Sequence, residues 1–149
     1  MTQTAHVIRR KAMETKFYSQ ICTSREQSER LLALGLKMET ADMYYQKLND
    51  KWTPFVGQPF SYDGLRGTYL IPAWSLDRLM SLMPRTVKVD GRLYGCMMEL
   101  GGCVQYINLL VDKIIWAAHY SVSNSFDGLI SCIEWLIKEG YFNKEYLEE

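Results

Sequence analysis

The run from Thr86 to Tyr120 constrains the fold more than any other part of the chain. An Asp-Gly pair between β-rich flanks is a strong local signal for a two-residue hairpin, because both turn residues need a positive φ. Asp90-Gly91 stands in that context within TVKVDGRLYGCMMEL. Gly101-Gly102 repeats the signal, and Val111-Asp112 supplies a third turn. The spacing predicts an antiparallel meander with strands at about 86–89, 92–100, 103–110 and 113–120. Along the last run Ile114, Trp116, Ala118 and Tyr120 alternate with Ile115, Ala117 and His119, so both sheet faces are expected to be partly covered.

A sheet of this size must pack on something. The segment NSFDGLISCIEWLIKEGYF supplies it, predicting a helix over about Phe126–Glu139, capped by Asn124 or Ser125 and stopped by Gly140. Phe126, Leu129, Ile130, Ile133, Leu136 and Ile137 form its apolar stripe, and Glu134 with Lys138 makes an i,i+4 pair. Trp135 falls nearly opposite that stripe. It is expected either at the surface, covered by the leader or a long loop, or in contact with another subunit or partner.

Two shorter helices precede the sheet. In CTSREQSERLLALGLK, Thr23 and Glu26 have capping-box spacing, Leu31, Leu32 and Leu34 give an apolar side, and Gly35 provides a left-handed stop that lets Leu36 fold back on Leu31. Thr40 starts a second short turn, TADMYY. In IPAWSLDRLMSLMP, Pro72 forces Ile71 to be extended, Ser75 caps, and Trp74 stands at staple spacing from Leu79. Leu76, Leu79, Met80 and Met83 share one face, and Pro84 ends the helix. Two and a half turns are too few to stand alone, so this helix must dock on the core.

Between these helices the pattern dissolves. KWTPFVGQPFSYDGLRGTYL reads as part of a long aromatic loop at about 45–70, with a short hairpin at Asp63-Gly64. Trp52, Phe55, Phe60, Tyr62 and Tyr69 either pin this loop to the core or line a binding surface. Residues 1–20 form a basic extension carrying Arg9, Arg10, Lys11 and Lys16. The remaining 21–149 read as one α+β domain: a meander of three or four strands, the C-terminal helix on one face, two shorter helices before it.

Chemistry is sparse. Cys22, Cys96, Cys103 and Cys132 show no C-x-x-C spacing, and His6 and His119 are the only histidines, a poor kit for zinc. The Gly-Gly register sets Cys96 opposite Ile107 rather than Cys103, so four reduced thiols are expected. No P-loop, G-x-S-x-G elbow or dinucleotide fingerprint is present. No catalytic residue, metal ligand or cofactor is assigned. Seventeen basic residues balance seventeen acidic ones, which argues against nucleic acid. Tyr94, Tyr106 and Trp116 also lack basic interleaving, with only Lys88, Arg92 and Lys113 near the meander. The longest apolar run, 107–118, is broken by Asn108, Asp112 and Lys113, so no membrane span is expected and a cytoplasmic protein is the default.

Three blocks carry a resemblance: CTSREQSERLLALGLKMETADMYY, IPAWSLDRLMSLMP, and the meander leading into SCIEWLIKEGYF, together covering 22–45, 71–84 and 93–142. In their order and spacing the sequence resembles uncharacterised small proteins from phage and mobile-element regions of gut Bacteroides-type bacteria. The resemblance implies the same fold and a mobile-element origin, and transfers no catalytic residue. Those proteins begin just before the capped helix, so Met13 is a candidate alternative start. The function expected is therefore non-enzymatic, through protein–protein contact with a host protein or self-association as a homo-oligomer. Trp135, Trp52, Phe55, Phe60 and Tyr62 are its candidate contacts. The alternative is a small-molecule binder or enzyme with the aromatic loop as lid. A third is weak nucleic-acid binding through the basic leader.

Overall fold

A computed structural model describes residues 19–59, 69–99, 103–108, 110, 116–120 (backbone only) and 124–149. The class is α+β, and the meander is present. Strands β4 (Thr86–Val89), β5 (Arg92–Glu99), β6 (Cys103–Ile107) and β7 (Trp116–Tyr120) lie in the order β4-β5-β6-β7, all antiparallel. We number strands β1–β3 and helices α1–α3 in chain order around them. Helix α3 (Ser125–Lys138) packs on β6 and β7. Asn124 caps it, accepting from the N–H groups of Phe126 at 2.8 Å and Asp127 at 3.2 Å. Phe126, Leu129, Ile130, Ile133 and Leu136 are buried against Val104 and Tyr106 of β6. Each such side chain contributes about 1.5–3 kcal/mol of apolar burial before chain entropy is charged.

Among the described residues two helices precede the meander: α1 (Arg25–Ala33) and α2 (Leu76–Leu82). Both α1 and α3 end in one motif. Gly35 and Gly140 adopt φ of 91° and 77°, and the residue after each glycine donates back to the carbonyl five positions earlier, Leu36 to Leu31 and Tyr141 to Leu136. The α1 cap lies one residue later than its spacing predicts. Ser24 and Gln27 make the box, not Thr23 and Glu26. Thr23 is withdrawn into the core, where its hydroxyl contacts Ser28 Oγ at 2.8 Å and accepts from the Trp74 N–H at 3.1 Å.

The segment expected as a turn and then a long loop is instead a second sheet. Strands β1 (Met43–Leu48), β2 (Lys51–Val56) and β3 (Leu70–Ala73) pair in the order β2-β1-β3. Only a short 3-10 turn, Met38–Thr40, precedes β1. The β1–β2 turn is Asn49-Asp50, at φ 47° and 62°, residue types that tolerate the left-handed region. No polar/apolar alternation announces these strands, because aromatic residues project from both faces. The Asp63-Gly64 hairpin, the basic leader and the Val111-Asp112 turn lie outside the described residues.

Three further expectations change. The β5–β6 connection spans three residues, pairing Glu99 with Cys103, so Cys96 stands opposite Tyr106 rather than Ile107. Strand β6 ends at Ile107 rather than near 110, since the Asn108 side chain accepts from the Leu110 N–H at 3.0 Å and turns the chain. Glu134 reaches Arg30 of α1 at 2.5 Å rather than making its helix pair with Lys138.

The segments around α1 and α2 meet in a polar seam. Trp74 is fully buried. Its indole N–H donates to Thr40 Oγ1 at 2.9 Å and its carbonyl accepts from the Thr23 N–H at 2.9 Å. Asp42 accepts from both the N–H and hydroxyl of Ser75, at 2.9 and 2.5 Å, and Arg78 Nε donates to the Thr40 carbonyl at 2.6 Å. No buried side-chain nitrogen or oxygen among the described residues lacks a partner. The Trp74–Leu79 staple is thus anchored at its base, and Leu79 is also fully buried. Of the predicted α2 face, Leu79 and Met83 are buried and Leu76 half-buried, but Met80 is 45% exposed and Leu82 takes the inner position.

Candidate functional site

The most distinctive surface arises from unequal strand lengths. Strand β4 has four residues and β5 has eight. Their hairpin closes at Val89–Arg92, so hydrogen-bonded pairs recur at Val87–Tyr94 and then Arg85–Cys96, where the Cys96 N–H donates to the Arg85 carbonyl at 2.9 Å. The next rung would join Met98 to position 83. It is not made, because Met83 turns away to close α2, its N–H donating to the Met80 carbonyl at 3.2 Å. Pro84 fixes this departure, and the Tyr106 hydroxyl holds its carbonyl at 2.5 Å. No described strand lies beside Met97–Glu99 on that side. The Met98 N–H and C=O therefore point to an open edge.

A cavity of about 200 Å³ fills the place of the missing rung. Met80, Met83 and Pro84 form one wall, Cys96 and Met98 the other, with Val104 and Leu129 beneath and Arg85 at one end. Methionine side chains adapt to differently shaped apolar groups, which suits a contact surface. Arg85 is exposed, and among the described residues no carboxylate pairs with it. On the other side of Met83-Pro84 lies a second, more polar depression of about 260 Å³, walled by Tyr141, Asn143 and Tyr146.

The groups nearby are poor reagents. Burial pushes the Cys132 thiol up to about 12, with Cys96 adding to the effect. Cys96 is exposed at its rim, yet its neighbours desolvate the sulfur enough to raise its pKa too. Burial likewise drives the Tyr106 phenol far above its ordinary range, with Cys96 and Cys132 adding to it. Nucleophilic cysteines need the opposite shift. None of the four cysteines is in a disulfide, and no three His, Cys, Asp or Glu side chains among the described residues could share a metal ion.

The aromatic contacts suggested by sequence lie elsewhere. Trp52 sits on β2 with the Arg25 guanidinium 5.5 Å above its ring and Tyr69 against it at 6.1 Å. Phe55 stacks on Tyr44 at 5.7 Å. Trp135 is flanked by Tyr106 at 5.8 Å and Tyr141 at 5.5 Å, so its cover comes from within the chain. Phe60 and Tyr62 lie outside the described residues. None of the described three lines the methionine cavity. The missed residues are Met80, Met83, Arg85 and Met98. The only trace of them in the sequence is Pro84 just before β4 and Met97-Met98 near the end of β5, which mean nothing until the register shows that the hairpin's arms differ in length.

Comparison with protein-family models, characterised proteins and solved structures finds no match to this chain. Among the described residues no helix is long and apolar enough to cross a membrane.

Proposed function

We propose that this chain is a non-enzymatic accessory protein of phage or mobile-element origin that acts by protein–protein contact, with a host protein or with another copy of itself. The origin rests on the resemblance carried by the three sequence blocks. The contact function rests on one observation above others: a methionine-lined cavity beside a strand end that no described strand pairs, with exposed Met80 in its wall. Raised thiol pKa values and the lack of a metal-ligand cluster among the described residues add support. Both described cavities fall below the roughly 300 Å³ at which drug-sized ligand pockets begin, which favours a protein contact over the small-molecule reading.

Size-exclusion chromatography with light scattering, run beside a pull-down from host lysate, tests this reading. The expected result is a defined oligomer or a stoichiometric partner lost on Met80→Asp. A strict monomer that retains nothing overturns it.

A further inference from the structure

We infer that the open end of β5 captures the free C-terminus of a partner protein, as an extended chain end paired with Met98. Its large apolar side chain enters the methionine cavity, and its terminal carboxylate lies beside Arg85. The inference rests on the contact function proposed above and names the partner's chemistry.

Direction comes from the ladder. A strand added antiparallel at Met98 continues the line of β4 and runs toward Arg85. There the backbone of Arg85 already occupies the next place, accepting from Cys96. An added chain must stop at that point or lift away, and a chain end stops. Charge selects the same orientation. Arg85 has no carboxylate partner among the described residues, and a guanidinium matches a carboxylate bidentately. A parallel strand would instead bring an N-terminal ammonium to Arg85.

The side-chain position follows from the pleat. Met98 pairs with Val104 and Cys96 with Tyr106, and Val104 and Tyr106 face the helices as part of the core. A residue placed opposite Met98 projects to that same face, over the cavity. The volume of about 200 Å³ suits a single large side chain. Main-chain pairing for affinity with one side-chain pocket for selectivity is how sheet edges read extended peptides.

The test uses the full chain and a display library of random hexapeptides with free C-termini. Selected peptides are expected to share Leu, Ile, Met or Phe within the last two residues. Amidating the C-terminus, or Arg85→Gln at this exposed position, should each weaken binding by about tenfold or more. Failure to enrich any peptide overturns the inference, as do binders indifferent to both changes. Octanoate that binds where no peptide does also overturns it, assigning the cavity to small apolar acids. A pull-down partner kept equally by Arg85→Gln defeats this inference while leaving the contact function standing. No partner and no oligomer defeats both.

Discussion

The two sheets treat their edges differently. In the small sheet, hydrogen-bonded pairs run Leu48–Lys51, Gln46–Thr53 and Tyr44–Phe55, so Pro54 on β2 turns its nitrogen outward. On the other side Pro72 stands opposite Tyr44, whose backbone groups already face β2, so its nitrogen also points outward. Each outer strand of this sheet, as described, thus lacks a donor where an added strand would seek one. In the meander the proline sits outside the strand. Pro84 ends the β4 side early and leaves Met98 open, beside a cavity. Proline closes edges in one sheet and creates an opening in the other.

The two regions are also held differently. The small sheet and α1 meet α2 through the polar seam of Thr23, Thr40, Asp42 and Trp74, whereas the meander and α3 meet through apolar side chains. Substitutions should separate these modes. The largest effect belongs to Ile133→Asp, which buries a carboxylate at a fully enclosed position and should abolish cooperative unfolding. A soluble variant of near-native melting temperature would refute the α3 packing.

Alkaline pH is next. Cys132 keeps its proton in the folded state up to about 12, while an unfolded thiol ionises at about 8.5. Its contribution is complete below the unfolded value and is lost as pH rises through the window from about 9 to about 12, by at most about 1.4 kcal/mol per pH unit. Urea unfolding at stepped pH should show this fall, and Cys132→Val should make it shallower without abolishing it, because Cys96 and Tyr106 are shifted in the same direction. An unchanged slope would mean the thiol is not the titrating group.

Thr40→Val tests the seam by leaving the buried Trp74 indole N–H without its acceptor, at a cost of about 1–3 kcal/mol. Ile130→Val in the apolar region should cost about 0.5–1.5 kcal/mol. If the threonine change proves the milder, the seam is not what joins the small sheet to α2. The smallest effect on stability is expected from Pro54→Thr, which restores an outward donor. It should change stability by about 0.5 kcal/mol or less while shifting light-scattering mass upward. Mass identical to the parent would show that Pro54 does not guard that edge.

The legible parts of the fold were those with unambiguous punctuation. Asp90-Gly91, the Asn124 cap and the glycine stops at 35 and 140 place the meander and two helices from sequence alone. The small sheet was hidden because its turn is Asn-Asp rather than a glycine pair, and because Tyr44 and Tyr45 project to opposite faces, blurring the period. The Thr23 cap failed for a tertiary reason: Trp74, fifty-one positions away, takes its hydroxyl. The candidate site was hidden for a similar reason. Nothing in MMEL or LMP signals a cavity until the register shows that β5 outruns β4.

The central claim is that Met98 sits on an open edge while its neighbours are paired. Residue-resolved amide hydrogen exchange under native conditions tests it directly. The account predicts fast exchange at Met98 between protected amides at Met97 and Glu99, whose N–H groups face β6. Protection of Met98 equal to both neighbours in the unliganded chain would contradict it.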